Sequence, residues 1–117
     1  MTQPNINRNA LTQTLKTMVS IDSVNPSLVE GAAGETEIAD YLEQWMKAHG
    51  IDTKCHDVQP GRPNVVGTLH GTGGGKTLLL NGHMDTVGVD YMTIDPFNPT
   101  TKDGKLYGRG SFDMKGG

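Results

Sequence analysis

The first half of the chain carries apolar residues at the spacing of amphipathic helices. Between residues 10 and 19, four of them recur at i, i+4, i+7 and i+8 and so share one helix face: Leu11, Leu15, Met18 and Val19. Asn7 and Asn9 precede this stripe, and either is a suitable N-cap. The pattern predicts a first helix over residues 10–19.

A second helix is predicted to end at Gly50, a typical helix stop. One of its faces is apolar and is formed by Ile38, Tyr41, Leu42, Trp45 and Met46. Glu35 and Glu37 place negative charge in the first turn, where the helix dipole favours it. Residues 22–34, between the two helices, are rich in small and polar residues and are predicted to form a loop.

The hydrophobic pattern then changes to that of strands. Residues 51–58 alternate weakly, and residues 64–69 and 77–81 are short apolar runs bounded by Gly and Pro. We expect the last two runs to pair through the turn at residues 71–76. The run Leu78-Leu79-Leu80 has no polar alternation, so it is predicted to lie in a strand buried on both faces.

A hairpin is predicted around Asp103-Gly104, a dipeptide typical of tight turns. Helices that precede strands in this order predict an α/β fold with a layered sheet. The length of 117 residues fits one domain, and the aliphatic and aromatic share of 34% allows a small core.

Charge and composition exclude several classes of partner. The formal net charge is -3, without the basic excess of a nucleic-acid-binding protein. The apolar runs are far too short for a membrane span, and the pattern of a secretory signal is missing from the sequence. The single cysteine, Cys55, agrees with a reducing compartment and is given no catalytic role. We expect a cytoplasmic protein with no nucleic-acid or membrane partner.

The glycine-rich segment Gly71–Thr77 ends in Gly-Lys-Thr, as phosphate-binding loops do. Such a loop needs a glycine five residues before Gly75, where this chain has His70, and a helix after it. A flexible turn is therefore the better interpretation.

The segment Asn81–Val87 is the strongest candidate for chemistry, because it follows the predicted buried strand, where α/β proteins place their ligand sites. His83 and Asp85 are two residues apart, so in an extended segment their side chains lie on one side. There the carboxylate could accept a hydrogen bond from the second ring nitrogen of a metal-bound imidazole. The alternative is a solvated pair of turn residues, since His-x-Asp is common in sequences.

The final ten residues, Gly108–Gly117, contain one acid, Asp113, among residues that allow tight turns. A carboxylate brought beside an imidazole suits zinc. Asp113 could instead cap a helix beginning at Met114, and both roles are compatible.

Taken together, these motifs resemble a known family. The succession is NGHMDTV at 81–87, DPF at 95–97, DGKLYGRG at 103–110 and SFDMKGG at 111–117. It is similar to the N-terminal part of the di-zinc metallopeptidase and deacylase family that includes acetylornithine deacetylase, succinyl-diaminopimelate desuccinylase, aminoacylase and the carboxypeptidase G type. The resemblance covers nearly the whole chain.

The resemblance implies a layered α-β-α catalytic domain with a mixed sheet and two zinc ions, for which Co2+ can substitute. It implies that His83 ligates one zinc, that Asp85 orients His83 and acts in catalysis, and that Asp113 bridges both zincs. It also implies hydrolysis of the amide bond of an N-acyl amino acid in amino-acid biosynthesis, with an acetylornithine deacetylase-like activity expected first. A succinyl-diaminopimelate desuccinylase, or a dipeptidase or carboxypeptidase acting on peptides, comes next.

In this family the general-base glutamate, the other metal ligands and a dimerisation domain follow the motif at 111–117. We therefore expect residues 1–117 to be the N-terminal portion of a catalytic domain, inactive alone, whose parent protein is a homodimer. The competing class is a non-catalytic α/β binding module in which His83 and Asp85 are solvated turn residues.

Overall fold

Two helices and four strands form the regular structure of residues 4–117, the part of the chain that the computed structural model describes. In chain order they are α1 (Arg8–Ser20), α2 (Thr36–Ala48), β1 (Asp52–Gln59), β2 (Arg62–Thr68), β3 (Thr100–Lys102) and β4 (Lys105–Tyr107). The strands form two antiparallel pairs, β1 with β2 and β3 with β4. The prediction of an α/β fold is confirmed.

Helix α1 begins at Arg8, and Asn7 is its N-cap. The Asn7 side chain accepts a hydrogen bond from the Ala10 N–H at 3.1 Å, which satisfies one of the free donors of the first turn. Val19 is fully buried, whereas Leu11 at the other end of the predicted stripe is 62% exposed. The apolar face of α1 is therefore covered only near its C-terminus.

Helix α2 packs against the β1–β2 hairpin. Ile38 and Ala39 are buried on its inner face. A Cβ at Gly67 in β2 would lie 2.6 Å from the sulfur of Met46, so the absence of a side chain there lets the strand approach the helix. Gly50 follows the helix with a φ of +73°, the left-handed conformation that ends many helices.

The partner of β2 differs from the prediction. Residues 62–68 pair with β1, with Val65 opposite Cys55, and not with residues 77–81. The connection is the two-residue turn Pro60-Gly61, where Gly61 has a φ of +70°. Proline followed by glycine is a strong turn signal, and closing so short a loop costs little chain entropy.

The prediction of a buried strand at residues 77–81 is wrong for the structure that residues 4–117 adopt. Those residues form no strand, and Leu78, Leu79 and Leu80 are 80%, 81% and 84% exposed. A strand without polar alternation is stable only when neighbouring strands and covering layers satisfy its backbone and both faces. The described part of the chain supplies neither.

The hairpin predicted at Asp103-Gly104 is confirmed, with β3 and β4 joined by those two residues. Both have positive φ, 52° for Asp103 and 73° for Gly104. This is the turn geometry that matches the twist of antiparallel strands, and the Asp-Gly pair accepts it at low cost.

A parallel bridge joins the loop after α1 to the segment that carries the candidate site. Thr86 N–H donates to the Ser23 carbonyl, and Asn25 N–H donates to the Thr86 carbonyl, both at 2.9 Å. The Ser23 hydroxyl donates to the Met84 carbonyl at 2.8 Å. Val24, between these contacts, is buried in the small core. This bridge fixes the backbone of residues 84–86 against the core.

The loop before α2 is tied to the β1–β2 hairpin by an ion pair. The Arg62 guanidinium donates two hydrogen bonds of 2.6 Å to the carboxylate of Glu35, and a third of 3.1 Å to the Ser27 hydroxyl. Glu35 is buried, so this bidentate partner compensates its charge. No helix within residues 4–117 has the length and apolar character required to cross a membrane.

Candidate functional site

The structure brings His83, Asp85 and Asp113 together. The Nε2 atom of His83 lies 3.0 Å from Oδ1 of Asp113, thirty residues further along the chain. On the other side of the ring, Nδ1 lies 3.0 Å from the backbone carbonyl of Asp85 and 3.2 Å from its Oδ1. The two ring nitrogens therefore face different acids.

The carboxylate of Asp85 is hydrogen-bonded to Asn25, a residue that no sequence motif indicates. The Nδ2 group of Asn25 donates to Oδ2 of Asp85 at 2.8 Å, leaving Oδ1 turned toward His83. Asn25 lies in the predicted loop of residues 22–34. Nothing in the sequence pattern relates positions sixty residues apart, so only the folded chain reveals this contact.

Asp113 stands on a tight turn, and its side chain is 75% exposed. The peptide bond between Asp113 and Met114 is cis. Residues 114–116 continue the turn, so the helix cap that was the alternative role of Asp113 is not observed here. The exposed carboxylate is accessible to a ligand.

Two neighbours hold this turn in place. A Cβ on Gly110, which has a φ of +81°, would lie 2.7 Å from the Thr86 methyl, so the turn packs closely on residue 86. The buried ammonium of Lys115 donates to the carbonyls of Met18 at 2.9 Å and Ile21 at 2.8 Å, at the C-terminal end of α1. Burial lowers the pKa of Lys115 to about 8. No sequence pattern indicates this contact, which joins residues more than ninety positions apart.

The surroundings of His83 favour its protonated form when no cation is bound. The hydrogen bond to the Asp85 carbonyl raises the pKa of His83, partial burial opposes this, and the carboxylate of Asp113 raises it further. A cation at Nε2 would take the place of that proton, so binding would compete with protonation.

The donors at this site fit zinc only in part. Two ligand atoms on a tetrahedral zinc, each about 2.0–2.1 Å from the ion, lie about 3.3 Å apart, and the 3.0 Å between His83 and Asp113 is close to that. Imidazole nitrogen and carboxylate oxygen are both common zinc ligands. Within residues 4–117, however, no group of three or more His, Cys, Asp or Glu side chains is arranged to hold an ion. Asp85 adds no third donor because it faces the opposite ring nitrogen.

A shallow depression of about 290 Å3 lies beside Asp113, lined by Val87 and residues 108–113. A larger one of about 480 Å3 lies between α1 and the β3–β4 hairpin and is not lined by His83, Asp85 or Asp113. The smaller depression is therefore the one adjacent to the candidate chemistry. Arg109 contributes a backbone hydrogen bond to the Pro96 carbonyl at 2.8 Å, in keeping with a structural part in the turn.

Comparison with known proteins agrees with the family resemblance of the motifs. Residues 79–117 match the profile of the peptidase family M20/M25/M40, and this segment contains His83, Asp85 and Asp113. The family is generally metal-dependent, in agreement with the donor atoms found at the site.

Individual relatives extend the similarity to most of the chain. A Bacillus subtilis N-formyl-4-amino-5-aminomethyl-2-methylpyrimidine deformylase is 38% identical over 94% of this chain and 26% of its own length. A probable succinyl-diaminopimelate desuccinylase of Staphylococcus epidermidis is 42% identical over 71% of this chain and 21% of its own length. An acetylornithine deacetylase of Vibrio campbellii is 39% identical over 83% of this chain and 25% of its own length. The chain thus spans about a quarter of the length of the curated relatives it matches.

Proposed function

We propose that the chain supplies part of the active site of a zinc-dependent hydrolase that removes an acyl group from an amine nitrogen. The observation that carries the proposal is the convergence of His83 and Asp113 from positions thirty residues apart, with Asp85 on the second ring nitrogen of His83. Three relatives add support, because their names describe removal of a formyl, a succinyl and an acetyl group.

The chain's own residues have separate tasks in this proposal. Asp85 keeps a hydrogen on Nδ1 of His83, so the lone pair of Nε2 is available to a cation. Asp113 offers a carboxylate whose two oxygens can serve two cations. A zinc ion held by His83 and Asp113 would supply Lewis-acid polarisation of the amide carbonyl and activation of water.

Two donors do not complete a zinc site, which takes three or four protein ligands. We assign the remaining ligands and the general base to polypeptide outside these 117 residues. Residues 1–117 are then the N-terminal portion of a catalytic domain. The short span of the chain along its relatives supports this assignment.

Among substrates, we propose an N-acyl amino acid, with N-acetylornithine first and N-succinyl-diaminopimelate next. A formylated pyrimidine amine is a further candidate, because the deformylase relative matches 94% of the chain. We also propose a cytoplasmic homodimer, a location that the free thiol of exposed Cys55 supports.

The test uses a chimera in which this chain replaces the matching segment of the Vibrio campbellii deacetylase. The purified chimera is expected to contain zinc and to hydrolyse N-acetylornithine. His83→Ala and Asp113→Ala should each lower the zinc content and abolish activity. The matched control is His56→Ala, since His56 is an exposed histidine on β1, a strand that carries none of the candidate site residues.

Asp85→Ala should leave most of the zinc in place and lower activity by about 10–100-fold, the usual effect of removing the group that orients a ligand. Assaying N-succinyl-diaminopimelate in parallel distinguishes the two leading substrates. A chimera that keeps full zinc content and activity after His83→Ala would overturn the proposal.

A further inference from the structure

Asn25 lies behind the acid that orients the candidate zinc ligand. It is partly buried in the loop after α1, and hydrogen bonds of its backbone and its side chain hold it there. Its N–H donates to the Thr86 carbonyl at 2.9 Å, its Oδ1 accepts from the Ser27 N–H at 2.8 Å, and its Nδ2 donates to Oδ2 of Asp85 at 2.8 Å. Backbone and side chain are therefore both anchored.

The hydrogen bond from Ser27 determines which atom of the Asn25 amide faces Asp85. The Ser27 N–H can only donate, so the side-chain atom facing it must be the amide oxygen of Asn25. The amide nitrogen then necessarily points at Asp85, and a carboxylate oxygen is an acceptor. The orientation of the amide group is thus fixed by its hydrogen-bond partners.

We infer that Asn25 is a positioning residue, which sets the rotation of the Asp85 carboxylate and through it the tautomer of His83. With Oδ2 engaged by Asn25, Oδ1 lies 3.2 Å from Nδ1 of His83, beside the Asp85 carbonyl at 3.0 Å. Nε2 also has an acceptor, the carboxylate of Asp113 at 3.0 Å, but that carboxylate is 75% exposed, whereas the Asp85 side chain is 26% exposed. The two acceptors at Nδ1 therefore favour a hydrogen there, and Nε2 is the nitrogen that a cation can bind.

Among the hydrogen bonds of residues 4–117, none joins Asn25 to the imidazole or to Asp113, so Asn25 acts through Asp85. A carboxylate on a solvated segment would rotate between several positions, and each would align Oδ1 with the ring to a different degree. The bridge of residues 23–25 with residues 84–86 brings this orienting group to the site from the other half of the chain.

The experiment measures the tautomer directly in the metal-free 117-residue chain, by 15N chemical shifts of the two ring nitrogens of His83. Because its surroundings raise the pKa of His83, spectra are recorded at increasing pH until the ring shifts no longer change, so that the ring is neutral. In the unsubstituted chain we expect the Nδ1–H tautomer to predominate. Asn25→Ala should lower the ratio of Nδ1–H to Nε2–H by about threefold or more, since one hydrogen bond to a charged group can change an equilibrium about tenfold or more.

A second variant, Asn25→Asp, tests whether Asn25 acts by donating to Asp85 or only by holding the turn at Ser27. In Asn25→Asp the carboxylate can still accept the Ser27 N–H and keep the turn, but it cannot donate to Asp85. It should therefore shift the tautomer ratio at least as far as Asn25→Ala. The control is Ser27→Ala, which removes the hydroxyl bound by Arg62 and retains the backbone N–H, and which should leave the ratio unchanged.

Three results would overturn the inference: a tautomer ratio in the unsubstituted chain equal to that of a histidine-containing peptide, an unchanged ratio in Asn25→Asp, or an equal shift in Ser27→Ala. The importance of Asn25 for zinc binding rests on the proposed function. The measurement needs neither metal nor substrate, however, so failure of the hydrolase proposal and failure of this inference are distinguishable.

Discussion

Gly110 provides a quantitative test of how the turn carrying Asp113 is held. Alanine at this position must adopt a φ of +81°, which costs an L-residue about 1–2 kcal/mol. Its Cβ would also lie 2.7 Å from the Thr86 methyl and 3.2 Å from Cδ of Lys115. Relief of such overpacking typically costs about 1–3 kcal/mol more.

The expected loss of unfolding free energy for Gly110→Ala is therefore about 2–5 kcal/mol. This is large beside the 5–15 kcal/mol of ordinary domains. The assay is urea unfolding followed by circular dichroism. Because the crowded atoms lie between residue 86 and the turn, the substitution should also separate Asp113 from His83.

Two control glycines separate the cost of the positive φ from the cost of close packing. Gly104 also has a positive φ, +73°, but a Cβ there meets no atom within 4 Å, so Gly104→Ala should show only the conformational cost of about 1–2 kcal/mol. Gly71 lacks both features, and Gly71→Ala should be nearly neutral. Equal destabilisation by Gly110→Ala and Gly104→Ala would refute the claim that close packing on residue 86 holds the turn.

Two further outcomes follow from exposed groups. Three consecutive apolar side chains are exposed, those of Leu78, Leu79 and Leu80, so the chain should self-associate. The double variant with Leu78→Ser and Leu80→Ser should have a lower sedimentation coefficient at high concentration, and a monomeric parent chain would contradict this. The pKa of Cys55 is raised by desolvation and by the charge of Glu43, so at neutral pH it should react with iodoacetamide more slowly than a cysteine in a short peptide. Glu43→Gln should speed the reaction, and an unchanged rate would count against the electrostatic effect.

The sequence by itself determined the elements whose signals are local. Both helices, the Asp103-Gly104 hairpin and the Asn7 cap depend on residues within a few positions of one another, where spacing and turn chemistry act directly. It also indicated His83, Asp85 and Asp113, because ordered motifs along the chain identify a family without any knowledge of the contacts. Their catalytic and metal-binding roles remain proposals.

Tertiary structure decided everything that depends on distant partners. Residues 77–81 have the composition of a buried strand but stay exposed, since burial requires neighbours that residues 4–117 do not provide. The partner of β2 was settled by the Pro60-Gly61 turn, which closes a shorter loop than the alternative. Asn25 contacts Asp85 across sixty residues of sequence. Lys115 ties the turn that carries Asp113 to the end of α1 across more than ninety. Such contacts leave no periodic trace in a sequence, because they arise only when separate segments pack on a common core.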